Sequence, residues 1–447
     1  MTTTEVLKLF MEPRSVALVG VTRETGKGAF NTLENLLAIG FQGRIYPVNP
    51  KAENILGLKA YPDVTSLPMG IDLAVIATPR EVVPGVLLDC IQRGIKAAII
   101  TSAGFAEADE TGKELQSEVL SIIKWGGMRI IGPNSLGVVN NFSNFTSSFV
   151  ASPTDKVPVA LVGQSGGFLN GFAGFTSGKS IDLGNTSDVD FPEVLQYLGE
   201  DPDIKVIALQ IESIRDGMKF MSIAPKVSKN MPILALKIAQ SEEAAQAAAC
   251  HTGTIMGKTE VYQAAFGQCG IISLRSVDEM GDVARAFVNL PPLKGNRIGI
   301  ITPTGAGGVM ALDALSQYGF ESARLSPRTV ERIEQFFPHW SPPTNPVDML
   351  AAAITHGFGK VYREALAALL EDEKVDAILC ISGIPTLKAI QQVAGGKPKP
   401  VITWVTGEWD ENLLLKVKET GYRAIYPTPQ RAIRALAALR EYGSLGK

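Results

Sequence analysis

Val157-Pro158-Val159-Ala160-Leu161-Val162-Gly163-Gln164-Ser165-Gly166-Gly167 reads as a short buried strand that runs into a glycine-rich turn and then a helix over 168–175. A turn of this kind aims backbone N–H groups and the positive end of a helix at an anion. No Gly-Lys-Ser/Thr follows, so this is not a nucleotide-binding Walker loop. The same grammar occurs twice more. Ser15-Val16-Ala17-Leu18-Val19-Gly20 leads through Val21-Thr22 and Thr25-Gly26-Lys27-Gly28 into a helix over 30–39, and Arg297–Thr302 leads through Thr304-Gly305-Ala306-Gly307-Gly308 into a helix over 309–318. Apolar strands alternating with helices predict parallel sheets covered on both faces, an α/β architecture.

Working outward from Ser15, further strands are expected at 44–48, 72–77, 97–101 and 128–131. Ligands of such sheets bind beyond the carboxyl ends of the strands. There the first unit offers Gly20, Val21, Thr22, Asn49, Lys51, Pro79, Arg80, Ser102 and Asn134, small, hydroxyl-bearing and basic types that suit a phosphorylated cofactor. Two features argue against NAD. Thr22 replaces the second glycine of G-x-G-x-x-G, and the second strand ends in Asn49 where an acid would hold the ribose.

In the second unit, Ser180–Asp188 reads as a polar turn after a strand. Strands follow at 206–211, 232–237 and 271–274. Glu212 ends the first of these, and the loop Ala249-Cys250-His251-Thr252-Gly253-Thr254 follows the second, so both emerge at the sheet edge where Gln164–Gly167 lies. His251 is one of only three histidines. An imidazole serves as base, metal ligand or phosphoryl carrier, and a carboxylate such as Glu212 can orient it. Pro291–Asn296 looks like a linker, and the third unit adds strands at 376–381 and 400–405 with a turn at Thr344-Asn345-Pro346-Val347-Asp348.

Composition bounds the function. The chain of 447 residues is 45% apolar, which suits about three well-cored domains, and a net charge of −3 without a basic run speaks against nucleic acid. Four scattered cysteines form no metal-ligand or disulfide pattern, so no metal site is expected and a reducing cytoplasm is. No apolar run approaches the ~20 residues of a membrane span, and the amino terminus lacks a signal-peptide pattern.

Eight blocks in order then meet a family. Tyr46-Pro47-Val48-Asn49-Pro50-Lys51, Ser102-Ala103-Gly104-Phe105, Gly132-Pro133-Asn134-Ser135-Leu136-Gly137, Gln164-Ser165-Gly166-Gly167, Leu183-Gly184-Asn185, His251-Thr252-Gly253, Gly305–Ala311 and Asn345-Pro346-Val347-Asp348 resemble the α subunit of the ADP-forming acyl-CoA synthetases, relatives of succinyl-CoA synthetase. The resemblance implies a Rossmann-like CoA-binding domain over 1–150, then two flavodoxin-like domains over 151–292 and 293–447. It implies that His251 carries a phosphoryl group, with Glu212 hydrogen-bonded to it. Gln164, Ser165, Gly166, Gly167, Thr252 and Gly253 would hold phosphate, as would Gly305, Ala306, Gly307 and Gly308 at a second helix start. CoA would lie along Gly20, Val21, Thr22, Lys51, Pro79, Ser102 and Asn134.

Nothing in the chain resembles the ATP-grasp module of this family. The resemblance therefore implies a separate β subunit that brings ATP or ADP and Mg²⁺, in an α2β2 assembly acting on a small carboxylic acid or its acyl-CoA. Some residues depart from the pattern: Ala247–Cys250 and Gly163 stand where relatives often carry serine, and Gly167-Phe168 bears on acyl-chain room. The competing reading is a CoA-binding regulator without phosphoryl transfer, which would be expected to have lost His251 or Glu212. Both are present.

Overall fold

A computed structural model describes residues 1–26, 30–168, 176–241, 243–244, 246, 257–407, 409, 413, 417 and 419–445. The chain divides into two compact units, Met1–Met280 and Gly281–Lys447.

The first unit holds two sheets. In the amino-terminal one, β1 (Ser15–Val19), β2 (Arg44–Val48), β3 (Leu73–Ile76), β4 (Ala97–Ile100) and β5 (Arg129–Ile131) are parallel in the order β2-β1-β3-β4-β5. Beyond β2, Val48 makes one further parallel bridge to Tyr61. Counting that bridge as a strand gives the order 3-2-1-4-5-6 of a Rossmann sheet. The extra strand stops at one residue because Pro62 has no N–H to continue the ladder.

The next sheet comprises β6 (Val138–Asn140), β7 (Phe145–Thr146), β8 (Val159–Gly163), β9 (Lys179–Asp182), β10 (Val206–Ile211), β11 (Ile233–Lys237) and β12 (Ile272–Leu274), ordered β12-β11-β10-β8-β9-β6-β7. Its five parallel strands have the flavodoxin order, with β6 and β7 added antiparallel at the β9 edge. Strand β9 corrects the sequence reading. Lys179-Ser180-Ile181-Asp182 is a fully buried strand, and the polar turn begins only at Leu183. Its polarity is hidden because Lys179 Nζ is 2.6 Å from Asp201 and 3.1 Å from Asp203, with only 2% of its side chain exposed.

The amino-terminal helix Thr3–Met11 starts in a Thr2/Glu5 capping box, which closes two otherwise unpaired N–H groups. Its buried face (Val6, Leu7, Phe10, Met11) shares one apolar core with β1, β3 and β4 of the first sheet and β8, β9 and β10 of the second. The two sheets of this unit are thereby welded together, and their strand ends border one cleft.

The second unit is built on β13 (Arg297–Thr302), β14 (Glu321–Ser322), β15 (Val347–Asp348), β16 (Ala377–Ser382), β17 (Val401–Val405) and β18 (Ile425–Tyr426), in the order β14-β13-β16-β17-β18 with β15 also paired to β13. Helices Gly305–Gln317 and Pro429–Ser444 share one core, and Phe358–Glu371 and Ile384–Ala394 share another. Each core takes side chains from β16 and β17, as helices on opposite faces of a doubly wound sheet must. No helix among the described residues is long and apolar enough to cross a membrane.

Candidate active site

Ligands of doubly wound sheets sit where neighbouring crossovers diverge, and in the second sheet that point lies between β8 and β10. The strand ends there are knitted by two glutamines. Buried Gln210 accepts hydrogen bonds through Oε1 from the N–H groups of Gln164 (2.8 Å) and Ser165 (3.1 Å). The Gln164 side chain spans the crevice the other way, accepting from Glu212 N–H (2.8 Å) and Ser213 N–H (3.0 Å) and donating to Thr186 Oγ1 (2.8 Å). Two N–H groups of the turn are thus already engaged, and those of Gly166 and Gly167 come next, at the start of a 3₁₀ turn over Gly166–Phe168. The helix expected over 168–175 lies, beyond Phe168, outside the described residues.

A cleft of about 430 Å³ opens over this turn. Its wall combines Gln164, Ser165, Gly166, Gly167, Glu212 and Ser213 with Asp182, Gly184 and Asn185 from the end of β9, and Thr101, Ala103, Asn134 and Ser135 from the first sheet. The structure therefore gathers five of the predicted phosphate-site and catalytic residues with one predicted CoA residue, Asn134. His251, Thr252 and Gly253 lie outside the described residues. The base of their loop is described. Ile238 N–H donates to Ile211 (3.0 Å), Gln240 Nε2 to the Lys237 carbonyl (2.6 Å), and Thr259 Oγ1 to the Gln240 carbonyl (3.3 Å). Both ends of that segment leave from the edge that carries Glu212.

The remaining CoA candidates line the carboxyl ends of the first sheet. Gly20 has φ +83, and a Cβ there would meet the Ala77 carbonyl oxygen at 2.8 Å, so this turn requires glycine. Asn49 ties its loop to the next, donating to the Val21 carbonyl (2.9 Å) and accepting from Lys51 N–H (2.8 Å). Thr22 accepts from Glu24 N–H (3.1 Å). Ser102 donates to the Thr78 carbonyl beside Pro79, and its own carbonyl accepts from Asn134 N–H (2.9 Å). Asn49 thus does structural work where a dinucleotide site places its acid.

In the second unit, the helix Gly305–Gln317 begins after Thr304 with no side-chain cap from that residue, and Asp348 stands beside its first turn, a Cβ on Gly305 falling 3.5 Å from its Oδ2. Gly308 packs on Pro346, a Cβ there falling 3.0 Å from the proline ring, and Asn345 fixes that turn with bonds to Ile298, Ile300 and Ala323. The blocks Gly305–Gly308 and Asn345–Asp348 are one structure.

Three site residues escaped the sequence reading. Gln210 sits in a fully buried strand, and the sequence reading assigned it no role. Asp182 was taken for part of a turn. Its carboxyl accepts from Leu136 N–H (2.6 Å) and Gly184 N–H (3.1 Å), and burial, with a smaller contribution from Glu212, pushes its pKa up to about 7. Lys237 lies at the end of β11, 3% exposed, with its ammonium on the Ile238 carbonyl and the Tyr262 ring. Burial lowers its pKa and the nearby Glu212 opposes that. Among the described residues no group of three or more His, Cys, Asp or Glu is placed to hold a metal ion.

Comparison with known proteins decides the family. A CoA binding domain profile matches residues 14–141, and a succinyl-CoA ligase like flavodoxin domain profile matches 156–287. The α subunit of acetate–CoA ligase [ADP-forming] II from Pyrococcus furiosus is 37% identical over 415 residues, covering 88% of this chain and 89% of that one. The chain belongs to the ADP-forming acyl-CoA synthetase family. Acetate–CoA ligase [ADP-forming] II of Archaeoglobus fulgidus is 39% identical over 82% of this chain, which spans only 56% of that longer protein. Among solved structures, dinucleotide forming acetyl-coenzyme A synthetase 1 of Ca. Korarchaeum cryptofilum, in complex with phosphate and ADP, superposes with a TM-score of 0.89. It is 31% identical, over 99% of this chain and 97% of that one.

Proposed function

We propose that the chain is the α subunit of an ADP-forming acyl-CoA synthetase, interconverting acyl-CoA, ADP and phosphate with carboxylic acid, CoA and ATP. The observation that carries this reading is the single cleft joining the turn Gln164–Gly167 and Glu212 to the CoA-side residue Asn134. A phosphate oxygen attacks the thioester carbonyl, the C–S bond breaks, and CoA leaves as the thiolate. The resulting acyl phosphate meets an imidazole nitrogen of His251; the N–P bond forms as the P–O bond breaks and the carboxylate departs. The phosphohistidine passes its phosphoryl group to ADP. Splitting the exchange in this way replaces one hard step by easier ones.

This chain's residues have distinct tasks. The N–H groups of Gly166 and Gly167, at the start of the 3₁₀ turn Gly166–Phe168, stabilise phosphate charge. Glu212 accepts a hydrogen bond from one ring N–H of His251 and so holds the tautomer whose other nitrogen attacks. Thr252 and Gly253 belong to the same loop, and Gly305, Ala306, Gly307 and Gly308 provide a second anion-holding helix start. Gly20, Val21, Thr22, Lys51, Pro79, Ser102 and Asn134 form the CoA track on the first sheet.

We further propose that a separate ATP-grasp β subunit brings nucleotide and Mg²⁺ in an α2β2 assembly. The Pyrococcus relative, named as a subunit and close to this chain in length, supports this division. We assign these roles to three sheet-centred domains, over 1–150, 151–292 and 293–447, with β6 and β7 of the first stretch joining the second sheet. The buried, unpaired thiols of Cys90, Cys269 and Cys380 agree with a cytoplasmic setting.

The test is thiol release. Assembled with its β subunit and given ADP, the protein should release CoA from a small acyl-CoA only when phosphate is present. Glu212→Gln should lower the rate by roughly 10²-fold or more, the scale of losing a positioned acid–base partner. Phosphate-independent release, or a Glu212→Gln enzyme with unchanged rate, contradicts the proposal.

A further inference from the structure

The cleft that the proposed reading gives to phosphate carries two carboxyl groups in its wall, Asp182 and Glu212. Two ionised carboxylates would repel the anion the site must take, since like charges at close range strongly disfavour one another. Glu212 has a task in that reading. Asp182 has none, yet it is 2% exposed and stands over the phosphate-facing turn: a Cβ on Gly166 would lie 3.3 Å from its Oδ2. Each of its oxygens accepts from one loop N–H, Oδ2 from Leu136 and Oδ1 from Gly184, which fixes the carboxyl in place.

We propose that Asp182 acts in its acid form as a hydrogen-bond donor to the phosphoryl group of phosphate or acyl phosphate seated on the Gly166–Gly167 turn. This rests on the reading of the cleft as a phosphoryl site. The carboxyl lines the cleft beside Gly166, so a proton on it can be offered to an oxygen of a phosphoryl group seated on that turn. Burial holds the carboxyl in the acid form until near neutrality, at about pH 7. Above that pH, anion binding must first draw a proton from solvent onto Asp182.

The groups facing Asp182 do not supply that proton. Glu212, at the end of β10, adds negative charge. Lys237, at the end of β11, lies in the field of Glu212, with its ammonium on the Ile238 carbonyl and over the Tyr262 ring. Glu107 accepts a hydrogen bond from Asn185 Nδ2 (2.5 Å), and Arg129 is paired with Asp188 at 2.8 Å. None of the residues of the turn Gln164–Gly167 titrates.

The experiment is titration calorimetry of the assembled enzyme with inorganic phosphate, in buffers of different ionisation enthalpy, at about pH 6 and about pH 8. Phosphate's own ionisation is common to all variants and cancels in the comparison. Wild type should take up about one more proton per phosphate bound than Asp182→Asn at the higher pH, and the same number at the lower. The wild-type affinity should also fall by up to tenfold per pH unit relative to the variant above neutrality.

A second measurement needs no ligand. A carboxyl with a raised folded pKa stabilises the fold fully below its unfolded pKa, and that contribution fades as pH rises towards about 7. Wild-type stability should therefore decline between about pH 4 and about pH 7 relative to Asp182→Asn, with no further divergence above. Equal proton uptake and parallel stability profiles would overturn the assignment and leave Asp182 a loop clamp. If that result came with phosphohistidine formation intact, only this inference would fall; failure of wild type to bind phosphate at all would overturn the phosphoryl-site reading with it.

Discussion

Gly163 shows how much one residue can settle. From sequence it is a lost hydroxyl, a glycine where relatives often carry serine. In the fold its missing Cβ makes room for Gln210, whose Oε1 would stand 2.7 Å from any Cβ at that position. The glutamine is fixed by two N–H bonds and has little freedom to withdraw. Gly163→Ala should therefore destabilise the protein by about 1–3 kcal/mol, the usual cost of overpacking a tight interior. Truncating the partner as well, in Gly163→Ala/Gln210→Ala, should remove the clash without restoring the two N–H bonds. Denaturant melts of the single variant decide the matter, and a midpoint identical to wild type would refute this account of the glycine. Glu212 was legible from its place at a strand end. Gln210 and Asp182 were not, because a side chain that spans a crevice or lies buried beneath a turn leaves no periodic trace.

At the level of elements, strands of pure apolar character were readable and β9 was not. Periodicity arguments assume that a buried strand looks apolar, and Lys179 breaks that assumption by burying its charge against Asp201 and Asp203 and laying its ammonium 5.4 Å from the Phe142 ring centre. Short antiparallel strands β6 and β7 were missed for a different reason: three and two residues are too few to show alternation. The ion pair makes a sharp prediction. Lys179→Met leaves Asp201, itself only 4% exposed in its side chain, without its cation, and should cost roughly 3–5 kcal/mol. Adding Asp201→Asn should recover part of that loss. Equilibrium unfolding followed by circular dichroism measures both, and an unchanged Lys179→Met midpoint would show that the buried pair contributes nothing to stability.

Across the whole molecule, a buried strand running into a glycine-rich turn recurs three times, each time at the carboxyl edge of a run of parallel strands. The fold class and family were legible because those turns punctuate the sequence and because eight short blocks keep their order. The joining of the first two sheets into one core was not, since it depends on the amino-terminal helix filling a space that only the folded strands define. On the proposal made above, the cleft and the segment after β11 together pass a phosphoryl group through His251. The direct test is to incubate the assembled enzyme with acyl-CoA and phosphate in the absence of nucleotide, then map the modification by intact mass and phosphopeptide analysis. An acid-labile, base-stable phosphate on His251, lost in His251→Ala, is the predicted result. Tight CoA binding with no phosphate on the chain, across a panel of acyl-CoA species, would contradict the account and make the protein a CoA-binding regulator.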